Sequence, residues 1–401
     1  MTVDWLSITP DPQAATEVIR LVRRSMLPVG PLPHSLLMDE RQKVQWVTAP
    51  NGVGTWIVTD YEVARGVLAD SRLSRAEAAR PDAPKLSPGQ AAPESIISLD
   101  GVDHARLRRY VTGAFTKRRV ADLSPFVDDL VARLLEEMAG QHTEADIVEG
   151  LAAPLPLRVL CSVLGIPWQD HDQFGSSVSV LFEMQGDTEE NKARALRLAR
   201  YMAALVGRKR RAGGDDLICA LIAEGEGEDR LSNHELITLA LSLLMAGYET
   251  TVDQLTLCIL TVLVNAELTA VLRADASLIP VAVEEIMRIN PAVSISFPRV
   301  ARERLEIAGQ IVERGQPVVV SVIGANHHMS ADTASSAVSH LTFGHGIHRC
   351  IGAPLARIQL ASALRGLLDR LPLLALAEDP AALEWKSGSS SRGLARLRVT
   401  W

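Results

Sequence analysis

Cys350 stands late in a glycine-rich turn, Phe343-Gly344-His345-Gly346-Ile347-His348-Arg349-Cys350-Ile351-Gly352-Ala353-Pro354. Two histidines precede it, and a helical pattern, Leu355-Ala356-Arg357-Ile358-Gln359-Leu360-Ala361, follows it. Pro354 suits the first turn of that helix. Cys350 thus lies near a helix N-terminus, where backbone N–H groups favour negative charge. A thiolate is the form of cysteine that binds metal or attacks carbon. Gly344, Gly346 and Gly352 let the backbone turn tightly and lie against something flat or large. By residue type alone a lone cysteine is a small buried hydrophobe. The spacing Phe-x-x-Gly-x-x-x-Cys-x-Gly, from Phe343 to Gly352, makes Cys350 a candidate ligand instead.

A second chemical stretch is Ala246-Gly247-Tyr248-Glu249-Thr250-Thr251. It interrupts an apolar helical pattern that runs from Ser232 or Asn233 to about Val264. At 1.5 Å per residue such a helix spans roughly 45 Å, enough to cross a domain. A glycine there costs about 1 kcal/mol, and an ionised Glu249 needs a partner. One reading is a helix bent by Ser and Thr and packed tightly on a neighbour. The other is a local opening where oxygen and water fit beside a proton relay. His104 and Arg108, four apart on one helical face, can hold a carboxylate or be a solvated basic face. Glu285 and Arg288, three apart, can pair, and an exposed pair of that kind is worth little.

The Cys350 loop resembles the haem-binding signature of the cytochrome P450 family, the haem-thiolate monooxygenases. Ala246 to Thr251 resembles that family's oxygen-activation motif, and Glu285 with Arg288 its structural Glu-x-x-Arg pair. The three occur in the family's order. The resemblance implies a mainly α fold with a smaller β region and a long central helix over a buried haem b (iron protoporphyrin IX). It implies Cys350 as the axial thiolate, whose electron push favours O–O cleavage. Phe343 and Gly346 would shape the loop. His104, Arg108, Arg299 and His348 would meet the haem propionates. Ala246 and Gly247 would leave room above the haem, Thr250 would bond the oxygen on iron, and Glu249 would pass protons inward. Residues 326–340 depart from the family pattern, lacking the arginine that joins the Glu-x-x-Arg pair. His340 or a backbone carbonyl is expected in its place.

The resemblance also implies one domain over residues 1–401. Its β-rich parts are expected at about 40–60, 292–325 and 383–401, and its helical parts at about 61–290 and 353–372. Residues 168–187 would form a mobile lid. Substrate contacts are expected from Ile96, Ile97, Phe182, Met184, Val293, Ile295, Phe297 and Ser390, with Ser389 beside the last. These walls suggest a bulky, largely apolar small molecule of the secondary-metabolite kind. The implied reaction takes O2, inserts one oxygen and reduces the other to water. These 401 residues hold no flavin or iron–sulfur segment. Electrons are therefore expected from a separate ferredoxin and an NAD(P)H-dependent ferredoxin reductase. Arg109, Lys117, Arg118 and Arg119 offer an acidic donor a docking face. Two alternatives stay open: oxidative coupling without oxygen insertion, and a haem-binding sensor without turnover.

Composition fits a globular enzyme, with 47% hydrophobic and 22% charged residues. A net charge of −7 implies no general affinity for nucleic acid. Cys161, Cys219 and Cys258 sit in apolar helical runs, which suggests a reducing cytoplasm. No signal peptide or membrane span is expected, and a monomer is anticipated.

Along the chain, helices are expected at 12–25, 61–69, 124–139 and 144–166, and a strand hairpin around Pro50-Asn51-Gly52. Residues 73–99 read as a loop, and 303–325 as hairpin strands around Glu313-Arg314-Gly315-Gln316. His327 and His328, taken as strand neighbours, would point oppositely and hold no metal.

Overall fold

The computed structural model describes residues 10–25, 42–49, 51–86, 91–140, 143–173, 177–178, 188–224, 230–329 and 339–401. The chain opens with helix α1 (Pro12–Arg24), strands β1 (Val44–Thr48) and β2 (Gly54–Val58), helix α2 (Tyr61–Ala69), strand β3 (Leu73–Ser74) and helix α3 (Arg75–Ala79). Helices α4 (Gly101–Thr112), α5 (Lys117–Asp122) and α6 (Ser124–Ala139) follow, then strand β4 (Glu144–Asp146) and helices α7 (Pro154–Leu164), α8 (Thr188–Ala212) and α9 (Leu217–Ala223). The long α10 (Asn233–Leu263) leads to α11 (Ala266–Ala274) and α12 (Ile279–Ile289). Strands β5 (Arg299–Ala301), β6 (Leu305–Ile307), β7 (Gln310–Val312) and β8 (Pro317–Val320) precede helices α13 (Val322–His327) and α14 (Ala353–Arg370). Strands β9 (Ala375–Leu376) and β10 (Arg398–Thr400) end the chain.

Side-chain caps explain many of the helix starts. Asp11, Asp60, Ser74, Thr116, Asp216 and Asn265 each accept a backbone N–H of the turn they open. Ser232 and Glu235 form a reciprocal capping box on α10. Helix α10 then runs through the helical core and packs against α7, α8, α12 and α14. It is long and apolar enough to cross a membrane, but its flanks are covered by these helices. A second core lies under the five-stranded sheet β1-β2-β8-β5-β3, between Val58, Leu68, Val320 and Leu341. This sheet is antiparallel apart from the parallel pair β2–β8.

Several expectations change. Residues 73–99 are not all loop, because Ser74 caps α3 and β3 pairs with β5. Residues 144–166 are not one helix: β4 pairs with β10, and Pro154 opens α7 after a wide turn at Val148–Ala152. The β6–β7 hairpin turns at Ala308 and Gly309, both with positive φ, rather than at Glu313–Gln316, which links β7 to β8. His327 and His328 stand at the end of α13, not on a strand, and their rings meet the carbonyls of Ile289 and Thr59.

Candidate active site

Two short 3-10 turns, Leu341–Phe343 and Gly346–His348, lead into α14. The Cys350 N–H donates to Phe343 O at 2.8 Å and closes the loop between them. Gly344 and Gly346 have φ of 70° and 73°, the left-handed region that glycine adopts without strain. At Gly346 a side chain is also excluded by contact, since a Cβ would lie 2.7 Å from Leu68 O. Gly352 does not need that freedom; it is the N-cap of α14 with φ −78°.

The Cys350 sulfur accepts the N–H groups of Gly352 and Ala353 at the start of α14. Burial nevertheless pushes the thiol above its ordinary value, and these donors with Arg108 and Arg357 only oppose it. The residue itself remains solvent-accessible although protein surrounds the sulfur.

The loop is tied from beneath. Arg357 lies over the Phe343 ring, 4.5 Å from its centroid, and forks Glu284 at 2.5 and 2.8 Å. His340 Nε2 sits 3.1 Å from the same carboxylate. One residue on, Glu285 and Arg288 form a bidentate pair at 2.7 and 2.8 Å. Both are buried, so the low worth of an exposed pair does not apply to them. Arg23 of α1 takes Glu285 Oε1 at 2.6 Å, and Arg288 donates to Asn326 O at 2.7 Å. His340 is therefore not the substitute partner of this pair, while the backbone carbonyl is. Asn326 continues the path: its amide donates to Arg288 O and Thr342 Oγ1 and accepts the Leu341 N–H.

Basic side chains gather on the other side of the cysteine. His104 of α4 is buried, with its ring 4.4 Å from that of His348, centroid to centroid. Burial lowers the His104 pKa to about 4, and it lowers that of His348 too. Arg108 donates to Arg349 O at 2.7 Å. Arg299, at the start of β5, is buried with one long bond to Leu68 O at 3.4 Å. Burial brings its pKa down to about 10. Arg75 of α3, which the sequence reading missed, is buried too and is brought to about 9 by burial and by Arg299. Its guanidinium donates to Ile97 O and Pro298 O and lies over the Phe297 ring, 5.0 Å from the centroid.

Among the described residues, Asp100 is the carboxylate that faces Arg75, Arg299, His104 and His348. It is the N-cap residue of α4, but its side chain leaves the cap and binds Ser74 Oγ at 2.5 Å, the Ala76 N–H and His348. Burial would raise its pKa, yet these donors hold it well below the usual carboxylate range. Two buried guanidiniums, Arg75 and Arg299, and two imidazoles face one carboxylate that Arg302 also pairs at 3.3 Å, and Arg108 stands toward the sulfur; together they form an anion-seeking set. With a sulfur cradled by two N–H groups, this set fits an iron porphyrin bearing two propionates.

On α10, Thr250 Oγ1 donates to Ala246 O at 2.9 Å and Thr251 Oγ1 to Gly247 O at 2.8 Å. These back-bonds fit the bent-helix reading. Gly247 does not open free space: a Cβ there would lie 3.1 Å from Leu160 Cδ2 on α7. Ala246 and Thr250 are half-buried on the same stretch.

Glu249 is buried, and its partner is Lys386 Nζ at 2.5 Å. Lys386 also contacts Asp253 Oδ1 at 2.7 Å, and Ser391 Oγ donates to Asp253 Oδ2 at 2.5 Å. Burial raises the pKa of Asp253; burial would lower that of Lys386, but the two carboxylates raise it. A Cβ at Gly393 would fall inside the Asp253 carboxylate, so that glycine lets the C-terminal turn close on it. Sequence reading missed Asp253, Lys386 and Ser391. The one signal was an aspartate in an apolar helix, a buried charge in search of a cation.

The expected substrate contacts divide. Val293, Ile295 and Phe297 are half-buried, and Ile295 bridges to Ser321. Ile96 is buried in the helical core and Ile97 packs partly against it. Ser390 is exposed on the turn held by the Trp385–Leu394 bridge. Phe182 and Met184 lie outside the described residues.

The cytochrome P450 family model matches residues 187–389. The chain is 39% identical to nocardicin C N-oxygenase of Nocardia uniformis subsp. tsuyamanensis over 88% of this chain and 92% of that protein. It is 38% identical to mycinamicin IV hydroxylase/epoxidase of Micromonospora griseorubida over 91% and 94%. A solved structure of cytochrome P450mel 107F1 with biaryl coupling reactivity superposes with a TM-score of 0.84. It is 32% identical, over 92% of this chain and 98% of that one. With its loop cysteine, its acid–threonine helix and relatives along nearly its whole length, the chain belongs to the cytochrome P450 family.

Proposed function

We propose that this monooxygenase binds haem b with Cys350 as the iron ligand and oxidises a bulky, mainly apolar small molecule of secondary metabolism. The observation that carries the reading is the pairing of a sulfur held by the Gly352 and Ala353 N–H groups with an excess of buried cations. His104, Arg108, Arg299 and His348 would hold the propionates, with Arg75 behind Arg299. Haem b, when bound, supplies reductive activation of O2, so that one oxygen enters the substrate and the other leaves as water.

The chain's own residues then handle substrate and protons. Thr250 already donates its hydroxyl proton to Ala246 O, so its oxygen stands free to accept a further hydrogen bond. Glu249, held by Lys386, would resupply protons along α10. Phe343 and Gly346 keep the cysteine loop in one shape. Val293, Ile295 and Phe297 offer apolar walls, and Ile96, Ile97 and Ser390 are proposed at the rim. Electrons would come from a ferredoxin and its reductase, docking near Arg109, Arg118 and Arg119. The single-domain reading over residues 1–401 and a monomeric state belong to the same proposal. Buried free thiols at Cys161, Cys219 and Cys258 support a reducing cytoplasm.

Oxygen uptake with a surrogate ferredoxin, joined to a spectral-shift screen of metabolites, tests this reading. Bulky apolar ligands are expected to shift the haem spin state; tight binding only of small charged acids would contradict it. Oxidative coupling is the second reading, favoured by the likeness to cytochrome P450mel 107F1, which has biaryl coupling reactivity. A product that loses hydrogens without gaining oxygen would select it. A sensor without turnover would have no use for a buried acid beside Thr250.

A further inference from the structure

Arg75 breaks the ordinary rule for its residue type. Arginine is seldom buried unless it is paired, yet Arg75 is 6% exposed and spends its fork on backbone. Its Nε donates to Ile97 O at 3.2 Å, and its Nη1 donates to Pro298 O. The guanidinium also lies over the Phe297 ring, 5.0 Å from the centroid. Asp100 acts on it through space and is itself held by Ser74, the Ala76 N–H, His348 and Arg302. Positions that break local rules in this way mark functional sites. The two carbonyls belong to segments about 200 positions apart in the chain. Ile97 lies in the loop before α4, and Pro298 ends the extended stretch before β5. Each segment is fastened from its outer side. Ser95 Oγ meets Ser242 Oγ of α10 at 2.8 Å; because Ser242 gives its own proton to Thr238 O, Ser95 is the donor. The same Ser95 oxygen accepts the Ile97 N–H at 3.3 Å. In the other segment, the Ser296 N–H donates to Val320 O and Ser296 Oγ accepts the Val320 N–H, both at 2.9 Å. The Arg75 fork joins these two segments to each other.

We infer that Arg75 is a positioning residue for substrate: its fork sets the spacing between the Ile97 and Phe297 segments, and so the width of the slot that a flat apolar group can enter. The inference rests on the proposed assignment of these residues to the substrate walls. A guanidinium is planar and carries its donors at fixed spacing. Two carbonyls bound to one such group cannot drift apart without breaking a hydrogen bond to a charged donor, which is stronger than a neutral one. The ring contact adds a third point, since the same plane covers Phe297 and holds its side chain against the fork.

Azole binding to the holoenzyme, joined to amide hydrogen exchange, tests this. Imidazole and phenylimidazole both bind haem iron through nitrogen, but the second also carries a flat apolar ring that reaches the walls. Arg75→Met is expected to weaken phenylimidazole about tenfold, the size of a changed contact in an apolar pocket. Imidazole should stay within about twofold of the wild type. The amides of Ser98 and Leu99 in one segment and of Ser296 in the other should exchange faster together. Arg75→Lys keeps the buried charge without the planar fork; it guards against a variant that fails to fold, and should show the same selective loss. Equal weakening of both azoles with loss of haem would make Arg75 a propionate contact and overturn the inference. Unchanged phenylimidazole binding, or faster exchange in one segment alone, would overturn it too. Phe297→Ala reports the walls by themselves: if phenylimidazole binding does not change there, the proposed walls fail, while the exchange result still judges the fork.

Discussion

The two flanks of the site are built from different materials. The cysteine flank is backbone: two left-handed glycines, the Cys350–Phe343 hydrogen bond and the N–H groups at the start of α14. Its side-chain ties, Arg357 to Glu284 and Arg288 to Glu285, fasten the loop from outside. The α10 flank is side chain: one ammonium from the C-terminal turn inserted between two acids 133 and 137 positions away. A backbone cradle holds a ligand in one geometry. A cluster of charges can change its proton content without moving the fold. Under the proposed function, the contrast suits a flank that stays fixed and a flank that would exchange protons.

The sharpest break on the cysteine flank is Arg288→Ala. It strands the buried Glu285 beside Arg23 and frees Asn326 O, and losing one partner of a buried pair costs about 3–5 kcal/mol. Urea unfolding should show that loss together with poorer haem retention. A cost under about 1 kcal/mol, the range of surface pairs, would mean the pair is not a structural tie.

On the α10 flank, Thr250→Ala should leave folding intact and lower the rate of product formation by about 10²-fold, the lower range for a positioned proton-transfer group. Reductant consumption should continue and release hydrogen peroxide. Unchanged coupling to product would remove Thr250 from the relay.

Glycines sharpen the comparison at a smaller scale. Gly346→Ala is strained by its φ of 73° and meets Leu68 O, so about 1–3 kcal/mol should be lost, read as thermal unfolding of the holoenzyme. Gly247→Ala touches only the flexible end of Leu160, and helix propensity returns up to about 1 kcal/mol, so its net effect should be near zero. Equal losses at both would contradict the assignment of one to backbone geometry and the other to helix packing.

The smallest expected effect is in acid. Burial would raise the Glu284 pKa, but Arg357 and His340 hold it below the ordinary range, and Arg288 and Arg23 do the same for Glu285. Depressed carboxylates stabilise the fold above their unfolded value of about 4.3, and that stability drains as pH falls through the folded values. Glu284→Gln should therefore flatten the fall of the urea midpoint below pH 5, and an identical acid slope would refute the assignment.

Legibility followed the same division. The cysteine loop, the capping box at Ser232 and the limits of α2 depend on neighbours within a few positions, so residue type and spacing reveal them. Partners supplied from far along the chain were not legible. Nothing local marks Lys386 for Glu249, Arg23 for Glu285 or Arg75 for the cation cluster. Asp100 sits where a cap is expected, but tertiary donors draw its carboxylate away. Strand β4 was read as helix because three residues carry too little periodicity to outweigh the pattern that follows. The Glu-x-x-Arg pair was legible as a pair, but its burial and its outer partners were not.

Everything on both flanks presupposes sulfur on iron. Visible spectroscopy of the reduced, carbon monoxide-treated Cys350→Ser protein, beside the wild type, measures that bond most directly. The wild type should show the long-wavelength Soret band of thiolate ligation, and the variant should lose that band and the turnover that depends on it. A variant with the unaltered spectrum and full activity would contradict the account.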